Sequence, residues 1–444
     1  MAMKTRYQVL LWLLLTLIGT GYFAQSLVIE ESHPDFLPGQ TSHGHYQIEL
    51  ACESCHTEPF GSEKVIQNAC LDCHKEELKE ANDSHPVKKF TDPRNADRLE
   101  ILDARYCVSC HKEHVPQHTR EMGVTLPVDF CEACHADVAK ERPSHEGMGF
   151  DTCASAGCHN YHDNKALYES FLLKHSEAPE TQPLSVITQV IQATTNEAKA
   201  LVTPKAEYPE DISADPNILS DWEHSGHAAA DVNCMDCHST KQSPKTWIPE
   251  PALAQCESCH KDQVKGFTSG KHGMKLGVEI DGAALPPMNV QDSLLAQAHK
   301  MNPDAMSASL TCNSCHDAHS VDRKQAAVES CLNCHSDEHS LAFESSKHAQ
   351  ILKVDQTSIV TCATCHLPET EVEHFGQKKT IIQHNQNHNL RPNEKMIRSV
   401  CLDCHSLGFS IDALADETLI NNNFTGRPSK HIESIDMALE REKK

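Results

Sequence analysis

Large side chains are scarce in this chain. Aromatic residues make up 5% of its 444 residues and hydrophobic residues of every kind 39%, less than a conventional core of that length draws on. Something other than side chains therefore has to fill part of the interior. Positive charge is short as well: 39 Lys and Arg stand against 63 Asp and Glu, a formal net charge of -24. That balance argues against nucleic acid and against anionic lipid as partners, since both are polyanions. It favours partners with positive faces. The acidic residues are dispersed, as on a solvated surface. No period-two alternation persists, so little or no β structure is expected. Long apolar runs are absent beyond the first residues.

That first run is MAMKTRYQVLLWLLLTLIGTGYFAQS. Lys4 and Arg6 precede the apolar stretch Val9 to Ile18, and Ala24-Gln25-Ser26 follows as a small-x-small cleavage pattern. Residues 1–26 therefore read as a secretory signal. The weakly apolar continuation to Ala24 keeps an uncleaved inner-membrane anchor as the alternative. Either reading exports the rest of the chain to the periplasm. No cysteine precedes Cys52, which rules out a lipid-modified N-terminal cysteine.

Exported proteins often spend cysteines on disulfides. Here the spacing points elsewhere. C-x-x-C-H occurs ten times: at Cys52/Cys55/His56, Cys70/Cys73/His74, Cys107/Cys110/His111, Cys131/Cys134/His135, Cys234/Cys237/His238, Cys256/Cys259/His260, Cys312/Cys315/His316, Cys331/Cys334/His335, Cys362/Cys365/His366 and Cys401/Cys404/His405. Twenty of the 22 cysteines are used. The other two, in DTCASAGCHN, are Cys153 and Cys158, and His159 follows directly. C-x-x-C-H is the attachment signature of c-type haem. Two thiols reach the two vinyl groups on one porphyrin edge, and the next histidine turns under the ring as proximal iron ligand. A helical turn makes residues three and four apart neighbours and so supplies that arrangement. Paired zinc C-x-x-C sites need no histidine after each pair, and a thioredoxin-like site expects a βαβ setting that is missing. Small, flexible Ala154 to Gly157 can loop out without crowding a ring, so Cys153/Cys158/His159 reads as an eleventh haem c site. Eleven porphyrins, about one per 40 residues, would supply the missing core. The fold class follows: mainly α with extensive loops, built around haems, in two pseudo-repeated halves.

The spacings repeat. Pairs of motifs are followed by a lone histidine: His85 after His74, His145 after His135, His272 after His260, and His348 after His335 with His339 between. His45 and His227 each lie seven residues before a motif, and CHKEH (110–114) matches CHDAH (315–319). The expected domains are a pentahaem part at 27–175, a linker at 176–220, a hexahaem part at 221–410 and a polar tail at 411–444. The cysteine-free linker should pack little, with one helix around 186–202. The tail should end in a short helix from Ser434.

Of 31 histidines, eleven are proximal and twenty remain, enough to give every iron a second imidazole. The candidates are His45, His85, His114, His145, His175, His227, His272, His299, His319, His348 and His388. His43, His162, His224, His339, His374 and His384 are the substitutes. Met274, Met301 and Met396 are the alternative ligands, with porphyrin packing as their ordinary role.

On these motifs the mature chain resembles the multihaem c-type cytochromes, and its first half the pentahaem and c3-like electron carriers with C-x-x-C-H-x-x-H. CATCHLPE (362–369), HNQNHNLRP (384–392) and MIRSVCLDCHSLGF (396–409) resemble the hydroxylamine oxidoreductase and octahaem cytochrome family. That resemblance implies a cross-linked tyrosine at the catalytic haem, but no tyrosine follows Tyr208. The C-x-x-C-K site of pentahaem nitrite reductases is missing too. Two functions remain. One is an electron carrier with mostly His/His-ligated haems, passing electrons from a quinol-side or periplasmic donor to a terminal reductase or an outer-membrane acceptor. The other is an oxidoreductase acting on a small nitrogen or sulfur compound at one five-coordinate haem. The open haem would be that of His316 or His366, with His374, His384 or Arg391 as acid/base groups.

Overall fold

The computed structural model describes residues 2–28, 36–42, 44–58, 61–81, 83, 85–119, 123–142, 145–147, 149–150, 153, 161–162, 167–182, 205–212, 215–280, 282–292, 300–350, 353–354, 357–358, 360–374, 376–390 and 394–443. The chain is mainly helical, in short helices and single turns joined by loops, as expected from its composition. Two compact units form. One comprises Met1–Asp72 and Tyr106–Leu126, the other Cys73–Arg105 and Pro127–Lys444. This division interleaves segments and differs from the expected boundaries at 27–175 and 221–410. In the first unit the helix Ala2–Val28 carries a stretch, Thr5–Ser26, long and apolar enough to cross a membrane.

Strands among the described residues are confined to three antiparallel ribbons: β1 (Glu279–Ile280) with β2 (Ala283–Ala284), β3 (Lys353–Val354) with β4 (Thr357–Ser358), and β5 (Glu369–His374) with β6 (Gln377–Ile382). The β5–β6 hairpin escapes a hydrophobic-alternation search because it pairs by charge. Glu373 stands opposite Lys378, and Lys378 Nζ lies 2.6 Å from Glu371 Oε2. Gly376 takes φ 76°, the left-handed conformation a tight hairpin turn needs.

The second unit has a small side-chain core of its own: Leu167, Leu172, Ile397, Leu407, Ile411 and Ala438, with Phe171, Leu173, Leu402, Leu414, Ile432 and Ile435 packed against it. Residues 411–444, expected to be a polar tail, therefore supply part of the core. Their average polarity hides an apolar stripe on the helices Leu407–Ala415, Glu417–Asn421 and Ser434–Glu442. The last of these packs on Glu169–Lys174, where Arg441 Nε donates to Glu169 Oε1 at 3.0 Å. The segment 176–220, expected to pack little, is anchored at both ends. Gln182 N donates to Cys404 O at 2.8 Å and Ser406 N to Glu180 O at 3.0 Å. Toward its other end Glu207 N donates to Asn233 Oδ1 at 2.7 Å and Lys205 O accepts from Asn233 Nδ2 at 3.0 Å. The helix Pro216–Glu223, which begins within the segment, buries Trp222, whose Nε1 donates to Val232 O at 3.1 Å. The helix expected around 186–202 lies outside the described residues.

His431 clasps this C-terminal region. Its Nδ1 lies 3.0 Å from Asp412 Oδ2 and its Nε2 2.7 Å from Asp436 Oδ2. The hydrogen bonds to these carboxylates push its pKa up to about 9. A raised histidine pKa stabilises fully below the unfolded value near 6.5 and fades as pH rises through the folded value. The difference in melting temperature between the wild type and His431→Gln should therefore be constant below about pH 6 and shrink toward pH 10. Leu407→Ala, at a side chain with 0% exposure, should destabilise the second unit by about 2–5 kcal/mol, read from thermal or denaturant unfolding.

Candidate haem-binding sites

Eight of the C-x-x-C-H motifs share one local design. The histidine N–H returns to the first cysteine's carbonyl: His56 to Cys52 at 2.8 Å, His111 to Cys107 at 2.9 Å, His135 to Cys131 at 2.9 Å, His238 to Cys234 at 2.8 Å, His260 to Cys256 at 2.8 Å, His316 to Cys312 at 3.0 Å, His335 to Cys331 at 2.8 Å and His405 to Cys401 at 2.7 Å. One i to i+4 turn thus sets two thiols and an imidazole on one side of the backbone. Local sequence starts several of these turns. Asn233, Thr311 and Thr361 each precede the first cysteine and form capping boxes with Asp236, Ser314 and Thr364. Cys70, Cys73 and His74 lie within the continuous helix Glu63–Glu80, and Cys362 to His366 form a helix of their own.

None of the 21 described cysteines is in a disulfide. Cys55, Cys110 and Cys134, expected from the sequence as the second thioether positions of their motifs, are half-buried. Each is drawn into the turn by its own amide: Cys55 N donates to Cys52 O at 3.2 Å, Cys110 N to Cys107 O at 3.1 Å and Cys134 N to Cys131 O at 3.2 Å. Cys110 O in turn accepts from Thr125, from N at 2.8 Å and from Oγ1 at 2.9 Å. In these three motifs the second cysteine is therefore placed by the same turn that places the histidine.

Seven proximal histidines face a second histidine ring. Centroid separations are 6.1 Å for His135 and His85, 6.3 Å for His238 and His319, 5.9 Å for His260 and His227, and 6.2 Å for His316 and His384. They are 6.1 Å for His335 and His272, 6.0 Å for His366 and His339, and 6.1 Å for His405 and His348. Two imidazoles on opposite sides of one metal, each with a bond of about 2 Å and roughly half a ring beyond it, would stand about 6 Å apart. Direct stacking is closer: Trp247 lies 4.2 Å from His238 and Tyr161 4.0 Å from His85.

The ring nitrogens are prepared for ligation. Nδ1 of His85 donates to Tyr161 O at 2.5 Å, of His238 to Ile248 O at 2.7 Å and of His384 to Ile382 O at 2.9 Å. Nδ1 of His405 donates to Glu180 O at 3.3 Å and of His339 to Ile420 O at 2.5 Å. In the first unit His111 uses Gly123 O at 3.1 Å and His114 uses Gly39 O at 2.8 Å. A carbonyl only accepts, so the proton sits on Nδ1 and the lone pair on Nε2. His45 and His74 orient against carboxylates instead, Glu113 at 2.7 Å and Glu77 at 2.9 Å. Burial pushes His272, His348 and His366 down to about 4, and it lowers His85, His135, His227, His316, His335, His384 and His405 as well. Neutral imidazole is the form that binds metal. His316 Nδ1 is buried with no hydrogen-bond partner. The histidine donors and the spacing between facing rings fit a flat metal group between each pair.

Neighbouring motifs touch through their thiols. Cys70 hydrogen-bonds Cys107, Cys131 contacts Cys153, Cys256 hydrogen-bonds Cys312 and Cys331 hydrogen-bonds Cys362. Cys55 also lies close enough to Cys70 for its charge to raise that thiol. Cys237 is pushed up by burial and by Cys256 and Cys259, Cys315 up to about 11 by burial, Cys331 and Cys334, and Cys365 up to about 11 by burial and Cys404. From Cys234 to Cys404 the motifs are thus neighbours in the order of the sequence.

Two rings facing proximal histidines, His339 and His384, are expected from the sequence only as substitutes. Pairing reaches across segments, so distance in sequence does not reveal it. A local signal exists at His339, which lies four residues after His335 in CHSDEH and reaches the next motif. His388 sits on the helix Asn387–Leu390, and its charge, with those of His74 and Lys395, acts on Glu77. His175 packs on Phe171 at 4.5 Å, and His145 follows a turn from Arg142. His162 lies 3.2 Å from Asp83, and His224 donates to Ser220 O at 2.6 Å. Met396 is buried, Met301 bridges the backbone of His335 and Met274 opens a short turn. Cys158, His159, His43, His299, Arg391 and the side chain of His374 lie outside the described residues.

Two comparisons with known proteins find matches. A family model described as Cytochrome c3 matches residues 44–136. The High-molecular-weight cytochrome c of Nitratidesulfovibrio vulgaris is 24% identical over 176 residues, covering 36% of this chain and 29% of the relative. The chain thus matches less than a third of that relative's length. No solved structure matches. Both matches support a multihaem c-type cytochrome with covalently bound haem c.

His384→Ala removes the ring facing His316 and should open one iron. The reduced variant is expected to bind carbon monoxide at one site more than the wild type does. Equal binding by both would contradict the pairing of His316 with His384.

Proposed function

We propose that this chain is a periplasmic electron carrier holding eleven c-type haems, most of them bound by two histidines. A haem so bound supplies a centre that takes up and releases one electron with little change in its coordination. The chain's residues do the rest. The cysteine pairs of the eleven motifs, Cys153/Cys158 among them, tether the groups, and the histidine after each pair ligates from one side. His85, His319, His227, His384, His272, His339 and His348 ligate from the other side at His135, His238, His260, His316, His335, His366 and His405. His45, His114, His145, His175 and His388 are the remaining candidates for His56, His74, His111 and His159, with His299 a further one.

The single observation that carries this reading is the set of seven histidine pairs about 6 Å apart. Thiol neighbours in sequence order from Cys234 to Cys404 support a continuous path through the second half. The carrier is favoured over an open-haem enzyme because both sites considered for an open haem face a second imidazole: His316 faces His384 and His366 faces His339. The acidic surface suits redox partners with basic docking faces. We place the donor on the quinol side or in the periplasm, and the acceptor at a terminal reductase or the outer membrane. The Thr5–Ser26 helix is a cleaved signal or an inner-membrane anchor.

The exported protein should exceed its polypeptide mass by eleven haem groups. The electron paramagnetic resonance spectrum of the oxidised protein should be dominated by low-spin iron. A mass excess of far fewer groups, or a mostly high-spin spectrum, would overturn the proposal.

A further inference from the structure

The sequence DETLINNNF, Asp416 to Phe424, builds a bracket. Its helix, Glu417–Asn421, is too short to stand on propensity, so its two ends hold it. Asp416 is the N-cap, with Oδ1 accepting from Leu419 N at 3.2 Å, while Oδ2 accepts from both N and Oγ of Ser429 at 2.7 Å. At the other end Asn423 N donates to Ile420 O at 3.0 Å and Phe424 N to Leu419 O at 2.7 Å. This is the paired 5→2 and 6→1 bonding of a Schellman stop. Asn423 takes φ 53°, and Phe424 continues at φ 57°. Asparagine tolerates that region, but a bulky aromatic rarely enters it, and such outliers point to a positional demand.

The outcome is specific. The Phe424 ring lies 6.1 Å from His339 at 90° and 6.0 Å from His348 at 63°. The same bracket holds His339 in three further ways: Ile420 O accepts from its Nδ1, and Asn423 Nδ2 donates to its backbone carbonyl at 3.0 Å and lies 3.5 Å from its Nε2. His339 faces His366 with ring planes 75° apart, and His348 faces His405 at 76°. The thiols of these last two motifs, Cys365 and Cys404, are neighbours.

We propose that Phe424 is a positioning residue shared by the last two haem sites. It is wedged edge-on against both distal imidazoles and fixes how each ring is rotated relative to its proximal partner. The inference rests on the reading of His339 and His348 as iron ligands. An unbranched link to iron leaves an imidazole free to turn about its bond, so some neighbour must set its plane. Phe424 touches both rings, beside the Ile420 carbonyl that also orients His339, and it stands on a turn whose backbone is held at both ends. The C-terminal region is thereby part of the redox machinery of sites built mostly from residues before it.

The angle between two axial imidazole planes sets the anisotropy of the low-spin electron paramagnetic resonance signal. Parallel planes give a rhombic spectrum, and near-perpendicular planes a single dominant low-field feature. The test compares oxidised, fully loaded wild type, Phe424→Ala, Phe424→Leu and Phe424→Tyr, each with its mass. Phe424→Ala should shift the low-field features of two irons while the mass and the other signals stay unchanged. Phe424→Tyr, which keeps the flat ring, should restore the wild-type spectrum. If Phe424→Ala fails to fold, Phe424→Leu carries the test, because it fills the volume without a ring edge and should still shift both features. A fully loaded Ala or Leu variant with the wild-type spectrum would overturn the proposal. A wild type lacking haem mass would instead overturn the underlying reading.

Discussion

One geometric fact organises this molecule: a single helical turn places two thiols and an imidazole together, and a second imidazole from elsewhere stands about 6 Å away. The turn is local and needs only C-x-x-C-H and, in several cases, a capping side chain just before it. The facing ring is not local. His227 serves His260, His319 serves His238, His272 serves His335, His384 serves His316, His339 serves His366 and His348 serves His405. Every metal group held this way would tie together two segments of chain.

This explains how a protein with few aromatics can be ordered. Its side-chain core is small, built where Leu167 and Leu172 meet Ile397, Leu407, Ile411 and Ala438, and most of the chain lies outside it. On the proposed reading, metal binding would do the work that buried apolar area does elsewhere, because ligation free energy becomes folding free energy when the unfolded chain has no preformed site. Burial of neutral imidazoles, so costly for a charged ring, is tolerated because the bound form needs the neutral lone pair.

The C-x-x-C-H turns are legible in the sequence because they are contiguous signatures with a stereochemical reason for each residue. So is the mainly helical class, because alternation is missing almost everywhere. The facing partners are only partly legible. His85, His227, His272, His319 and His348 stand out by their repeat, whereas His384 does not and His339 is marked only by its place four residues after His335, since local spacing does not say which distant motif a histidine will reach. The β5–β6 hairpin is hidden by its charge pairing. The C-terminal residues read as a polar tail because only a narrow stripe, with Leu414, Leu419 and Ala438, is apolar, and because a bracket such as Asp416–Phe424 acquires meaning only beside His339 and His348.

The central claim is that paired imidazoles, from both sides, hold tethered iron porphyrins in this chain. X-ray absorption at the iron edge of the purified, exported protein tests it most directly, since it reads the iron content and the atoms bonded to each iron. The account predicts eleven irons per chain with, on average, close to six nitrogen neighbours at about 2 Å, four from the porphyrin and two from histidine. An average near five nitrogens, a sulfur neighbour at many irons, or little iron at all would contradict it.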